Sequence, residues 1–206
     1  MKNSLRLFLL TFFLFTFSAV TIFAQPLDKF NRIRTYDVQN YIIRVNFEHE
    51  KRQVNGDTTV QVKPLADNFS ILELDSVGMK FESVKLEPEG KDLNYEQIGE
   101  KIKITLDKPY TKNDLISVRF KYSVVTCADF TRITSCKGVY FTKQTGTNNP
   151  QVWTQGEPEE NHHWFPSYDF PDDKAAVEQF ITVKSDETAI GNGELIETIE
   201  NADKTK

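Results

Sequence analysis

Apolar and polar residues alternate along most of this chain with the two-residue period that sends successive side chains to opposite faces of a strand. Tyr41, Ile43, Val45 and Phe47 share one face, and Ile42, Arg44 and Asn46 the other. Val54, Thr58, Val60 and Val62 hold one phase through Gly56, so the turn between these two strands is placed at residues 48–53. The dipeptide Asn55-Gly56, often a two-residue hairpin turn, is thereby put inside the second strand, with a bulge as the candidate role for its glycine.

Short strands are predicted at 71–74 and 81–86, separated by Val77-Gly78. Ile102, Ile104 and Leu106 alternate with lysine and threonine, residues 107–114 form a turn on Pro109 and Asn113, and Ile116, Val118, Phe120 and Tyr122 mark the next strand. Residues 138–142, 151–155, 177–184 and 188–195 complete the set. No window of helical length beyond the first 24 residues sustains a 3.6-residue period, and there is no internal repeat. Many short strands with closely spaced turns predict an all-β fold, an antiparallel β-sandwich or open barrel.

The first 24 residues stand apart from this pattern. Lys2 and Arg6 precede an apolar run from Leu7 to Phe17, and small residues at Ser18, Ala19 and Ala24 offer a cleavage site, best placed after Ala24. The run falls short of the roughly 20 apolar residues a spanning helix needs, so cleavage is preferred to a stable membrane span. Residues 1–24 are read as a signal peptide helix and 25–206 as one exported β domain, secreted or periplasmic. Its polar end at 200–206 lacks a closing element, which suggests a chain cut short.

Loss of Lys2 and Arg6 takes the formal net charge from −5 to −7. An acidic chain without a basic stripe is a poor ligand for nucleic acid, which needs clustered Lys and Arg. Cys127 and Cys136 are the only cysteines. In an oxidising compartment two thiols nine positions apart can pair, closing a short loop whose stabilisation stays under about 3 kcal/mol.

The densest chemistry lies at 154–176, TQGEPEENHHWFPSYDFPDDKAA. Prolines, Asp-rich turns and large rings make this segment too polar for a core and too aromatic for a passive linker. Trp153, Trp164, Phe165, Tyr168 and Phe170 could form a sugar-stacking platform, but anchorage of the loop to the sandwich is the better reading. His162-His163 is a poor metal pair, because neighbours on an extended segment point apart. Asp169, Asp172 and Asp173 could hold calcium, yet carboxylates beside prolines are common in turns without an ion. By spacing alone, Glu157, Glu159 and Glu160 read as a solvated acidic loop.

The order Gln155-Gly156-Glu157, then Trp164-Phe165-Pro166-Ser167-Tyr168-Asp169-Phe170-Pro171, then Lys174-Ala175, resembles a signature of the aminopeptidase N-like zinc metallopeptidases, where it closes the N-terminal β domain. Tyr36-Asp37-Val38, Val54-Asn55-Gly56 and Ala189-Ile190-Gly191-Asn192-Gly193-Glu194 resemble further segments of that domain in the same order.

The resemblance implies a role for Gln155 and Glu157 beside the first substrate pocket. There a fixed carboxylate would pair with the free ammonium of a peptide's first residue, and an amide would help orient it. It also implies a catalytic domain downstream, where zinc would reside. This chain holds no H-E-x-x-H and no Gly-Ala-Met-Glu-Asn strand, so no catalytic residue, metal ligand or cofactor is assigned within it. The expected function is recognition of the peptide N-terminus without hydrolysis by the chain alone. The alternative is a stand-alone secreted β-sandwich that binds a protein or glycan and has no peptidase activity.

Overall fold

The alternation in the sequence becomes three sheets in the computed structural model, which describes residues 32–126, 137–143, 146–147 and 149–206. Residues from Thr35 onward form one unit. The expected signal peptide and the Cys127–Cys136 pair lie outside the described residues. In chain order the strands are β1 (Tyr36–Glu48), β2 (Gln53–Pro64), β3 (Phe69–Asp75), β4 (Lys80–Glu87), β5 (Lys91–Asp92), β6 (Asn94–Ile98), β7 (Lys101–Tyr110), β8 (Ile116–Val125), β9 (Gly138–Phe141), β10 (Val152–Gln155) and β11 (Ala176–Thr182). Among the described residues a six-stranded sheet runs β11-β1-β2-β8-β4-β5, a three-stranded one β3-β7-β6, and β9 and β10 form a two-stranded sheet.

One core joins the two larger sheets. Val54, Val60 and Val62 of β2 and Ile116, Val118 and Phe120 of β8 are buried with Leu72 and Leu74 of β3 and Ile102 and Ile104 of β7. Edge-on ring contacts between Tyr36 and Phe69, and between Phe81 and Tyr95, bridge the sheets. The outer face of the large sheet is polar. There the Arg119 guanidinium donates two hydrogen bonds of 2.6 Å to the two Asp57 carboxylate oxygens.

The turn falls at residues 49–52, within the expected 48–53. The bulge is not at Gly56. It lies between Val38 and Asn40, where the register with β2 shifts by one residue. That extra residue puts Tyr36 and Val38 on the same buried face as Tyr41, Ile43 and Val45, although the two sets differ in parity. Gly56 pairs regularly and instead makes room for a ring: a Cβ built there would stand 2.1 Å from Cζ of Tyr122. Tyr122 is buried, and its hydroxyl lies 3.1 Å from Thr58 Oγ1.

Two expectations about elements are revised, and two strands were not anticipated. Strand β7 runs on to Tyr110, so the turn is confined to the residues after it, where the Asp114 carboxylate accepts the Thr111 N–H at 2.7 Å. Strands β5 and β6 carry no buried side chain, which is why no apolar alternation announced them. Residues 188–195 form no strand, and Ile190 and Leu195 stand 89% and 80% exposed. An apolar run becomes a strand only where another strand accepts its hydrogen bonds.

Strand β11 joins β1 in parallel, Tyr41 opposite Val177 and Val45 opposite Ile181, in an otherwise antiparallel sheet. Parallel pairing needs a crossover, and the long segment from β1 to β11 supplies it. The last part of that crossover is the aromatic block.

Candidate functional site

The block at 154–176 is built in three parts: the end of β10, a tight acidic turn, and a buried aromatic loop. Strand β10 pairs with β9 so that Trp153 faces Tyr140 and Gln155 faces Gly138. Gly138 has φ of +77°, and a Cβ there would meet the Glu160 carbonyl oxygen at 2.7 Å. Only glycine lets the turn settle this closely on the strand.

Gly156 then leads into the turn, and its carbonyl accepts the Glu160 N–H at 3.0 Å. A 3-10 turn at Asn161–His163 follows, with the Trp164 N–H bonded to the Asn161 carbonyl at 3.0 Å. From Trp164 to Asp169 every residue is buried, so the loop is core material despite its polar sequence. Trp164, Phe165 and Tyr168 join the main cluster; Phe165 packs edge-on to Tyr41, and Tyr168 edge-on to Tyr36.

Several of the loop's polar groups find partners in the strands, whereas the buried Trp164 Nε1 and Ser167 Oγ have no hydrogen-bond partner among the described residues. Asp75 and Ser167 exchange backbone hydrogen bonds of 2.7 and 3.1 Å, and Asp75 Oδ2 accepts the Asp169 N–H at 2.9 Å. The Tyr41 hydroxyl accepts the Tyr168 N–H at 3.0 Å, and Asp173 Oδ2 accepts the Val38 N–H at 2.9 Å. Burial pushes the Tyr41 phenol far above its usual range; the Tyr168 N–H opposes this and Asp173, Asp169 and Asp75 reinforce it. A cavity of about 200 Å³ remains between loop and β1, lined by Val38, Tyr41, Phe165, Tyr168 and Asp169 among others. Neither Gln155 nor Glu157 lines it.

His162 and His163 do not point apart as extended neighbours would. The 3-10 turn brings their rings to 4.5 Å, but His162 is committed elsewhere: its Nδ1 lies 2.6 Å from Asp169 Oδ2, which also accepts the His162 N–H at 3.0 Å. Burial works to raise the Asp169 carboxyl, yet the bonds from the His162 ring and backbone outweigh it and hold the group below the usual carboxylate range. His163 is lowered by burial first and by the neighbouring His162 second. These residues do not fit a zinc ion. Among the described residues no group of three or more His, Cys, Asp or Glu is placed to hold a metal, and Asp169 and Asp173 serve the loop's own hydrogen bonds.

Gln155 and Glu157 emerge differently. Both are exposed, and neither side chain makes a hydrogen bond or ion pair with a described residue. Gln155 is the last paired residue of β10, and Glu157 stands two positions on, with the turn fixed behind it by Gly156 and Asn161. The structure therefore places an amide at the end of β10 and a carboxylate two positions beyond it, both exposed. Trp153 does not anchor the loop. It is 40% exposed and stacks on Tyr140 with ring centroids 4.1 Å apart.

The family model for the Peptidase M1 N-terminal domain matches residues 36–206. The chain belongs to this family. Nothing matches among curated proteins. Among solved structures, the M1 N-terminal domain described here is similar to the M1 zinc metallopeptidase from Deinococcus radiodurans, with 20% identity and a TM-score of 0.69. A mutant from the same organism bound to a Tyr-Ser-Ala substrate gives the same values. A two-domain M1 zinc metallopeptidase mutant bound to L-tryptophan gives 21% and 0.66. Each comparison covers 84% of this chain and 38% of the other, so the chain spans less than two-fifths of these relatives' length. At such identity the likeness is one of fold, and it is the fold the alternation predicts: nearly all β, with sheets that do not close into a barrel. No helix among the described residues is long and apolar enough to cross a membrane.

Two features escaped the sequence reading. The His162–Asp169 pair left a local trace, an acid seven residues after a histidine, but many sequences show that spacing without contact. The stacking of Trp153 on Tyr140 depends on the pairing of β9 with β10 and left no trace in either segment alone.

Proposed function

We propose that this M1 N-terminal domain recognises the free N-terminus of a peptide on behalf of a zinc aminopeptidase, with Glu157 pairing with the ammonium and Gln155 orienting the first residue. One observation carries the reading: the Glu157 carboxylate is exposed just past the end of β10 and has no internal cation among the described residues. A charge-assisted hydrogen bond from an ammonium would satisfy it, and interior peptide bonds, which lack that charge, would be rejected. The peptide bound to a similar M1 enzyme agrees with such a ligand.

The zinc, its H-E-x-x-H ligands and the general base belong to a catalytic domain that would follow this one, and the chain alone hydrolyses nothing. Exposed Val177 and Phe180 on β11, with Ile190, Leu195, Ile196 and Ile199 beyond it, supply apolar surface for such a neighbour and speak against a stand-alone module. The apolar leader at 1–24 supports export, to a periplasm or outside the cell.

Titration of the chain with a dipeptide amide and its N-acetylated form, followed by amide chemical shifts, tests the proposal. The free form is expected to shift residues around 155–160, and the acetylated form is not. Equal binding of both, or an unaltered preference in Glu157→Gln, would defeat it. Zinc-dependent release of an N-terminal residue by the purified chain would refute its lack of activity.

A further inference from the structure

The face of β10 that carries Gln155 also carries Trp153, since residues two apart on a strand lie on one face, about 7 Å from each other. Across the ladder Trp153 meets Tyr140, and their rings lie 9° from parallel. Tyr140 is buried while Trp153 is 40% exposed. The indole is thus backed on one side by a fixed ring and open to solvent on part of its surface. Such a ring loses little freedom when a ligand covers it, so the contact is made at low entropic cost.

The surroundings are acidic. Glu157, Glu159 and Glu160 follow directly, and Glu160 lies close enough to Tyr140 to add to the effect of burial in raising its phenol. Gly138, opposite Gln155, contributes no side chain to this face, so nothing from β9 stands between the amide and the ring pair. An occupant of this surface needs a positive charge for the turn and a flat apolar group for the indole.

We propose that Trp153 is a specificity-determining residue, forming the wall against which an aromatic side chain at a peptide's N-terminus stacks while Glu157 holds that residue's ammonium. The proposal rests on the reading of Glu157 given above. It assigns the ligand class as peptides that begin with Phe, Tyr or Trp.

The purified chain is titrated with the amides of Phe-Ala and Gly-Ala and with acetyl-Phe-Ala amide, following the Trp153 indole N–H by NMR. Trp164, the only other tryptophan, is buried and serves as a control. Phe-Ala is expected to bind roughly fivefold more tightly than Gly-Ala, the scale of one aromatic pair. Trp153→Ala should erase that advantage and leave Gly-Ala unchanged, and Trp153→Phe should restore part of it.

Equal affinity for the two peptides, or equal weakening of both by Trp153→Ala, overturns the stacking wall. If Glu157→Gln still removes the preference for a free N-terminus, the ammonium reading survives. Indifference to acetylation, or no binding of any peptide, overturns both. Shifts at the indole caused by an N-acetylglucosamine oligomer and by no peptide would assign the platform to glycan instead.

Discussion

Asp169 Oδ2 lies 2.6 Å from His162 Nδ1 and also accepts the His162 backbone N–H, so one carboxylate oxygen fixes both the ring and the main chain of the 3-10 turn. Asn161 Nδ2 reaches the other oxygen at 3.3 Å. The Asp169 side chain therefore adds to the backbone bonds from Trp164 and Phe165 to the Asn161 carbonyl in tying this turn to the buried aromatic loop.

Asp169→Asn should lower stability by about 2 kcal/mol, the scale of a buried charge-assisted hydrogen bond. Urea denaturation of the two proteins measures the difference. An exposed turn that melts without a global loss would show instead as faster amide exchange at 157–163.

The same pair makes acid stability diagnostic. Asp169 is held below its ordinary range in the fold, so its contribution is complete above the unfolded carboxyl value of about 4 and disappears as pH falls through the lower folded value. Melting temperatures of the wild type are expected to drop more steeply below about pH 4 than those of Asp169→Asn. Parallel acid limbs would remove Asp169 from the linkage.

Gly56→Ala should destabilise the sandwich by about 1–3 kcal/mol, because Tyr122 cannot leave the space a methyl would claim without disturbing its neighbours. In a Tyr122→Ala background the same change should cost much less, since the two positions compete for one volume. A double-mutant cycle in urea measures the coupling.

Glu157→Gln should leave the melting temperature unchanged while it removes discrimination against an acetylated peptide. A carboxylate with no described partner has no fold to hold. Loss of stability with loss of binding would reveal a structural duty instead.

Among the described residues β11 has a neighbour only in β1, and Val177 and Phe180 on it are 51% and 50% exposed. Such an edge invites association. The chain should self-associate as concentration rises, and Val177→Lys with Phe180→Lys should reduce this in light scattering without lowering the unfolding midpoint.

The sandwich was legible because its signal is local. Ile43 and Val45, Val60 and Val62, Ile102 and Ile104 each declare a strand face through the parity of nearby positions, and the shared phase from Val54 to Val62 located the turn correctly. The order of residues from Gln155 to Ala175 likewise carried the family resemblance without any structure.

What only the tertiary structure decided were relations between distant segments. Parity cannot say that β11 joins β1 in parallel, that residues 188–195 lack a partner strand, or that Tyr122 fills the place beside Gly56. Nor could composition show that Trp164 to Asp169 are buried, because the Tyr168 and Asp169 N–H groups and the Asp169 carboxylate are satisfied inside only once Tyr41, Asp75 and His162 arrive to bond them. Side-chain period is a property of one strand, whereas burial and hydrogen-bond satisfaction belong to pairs of segments that the chain brings together only on folding.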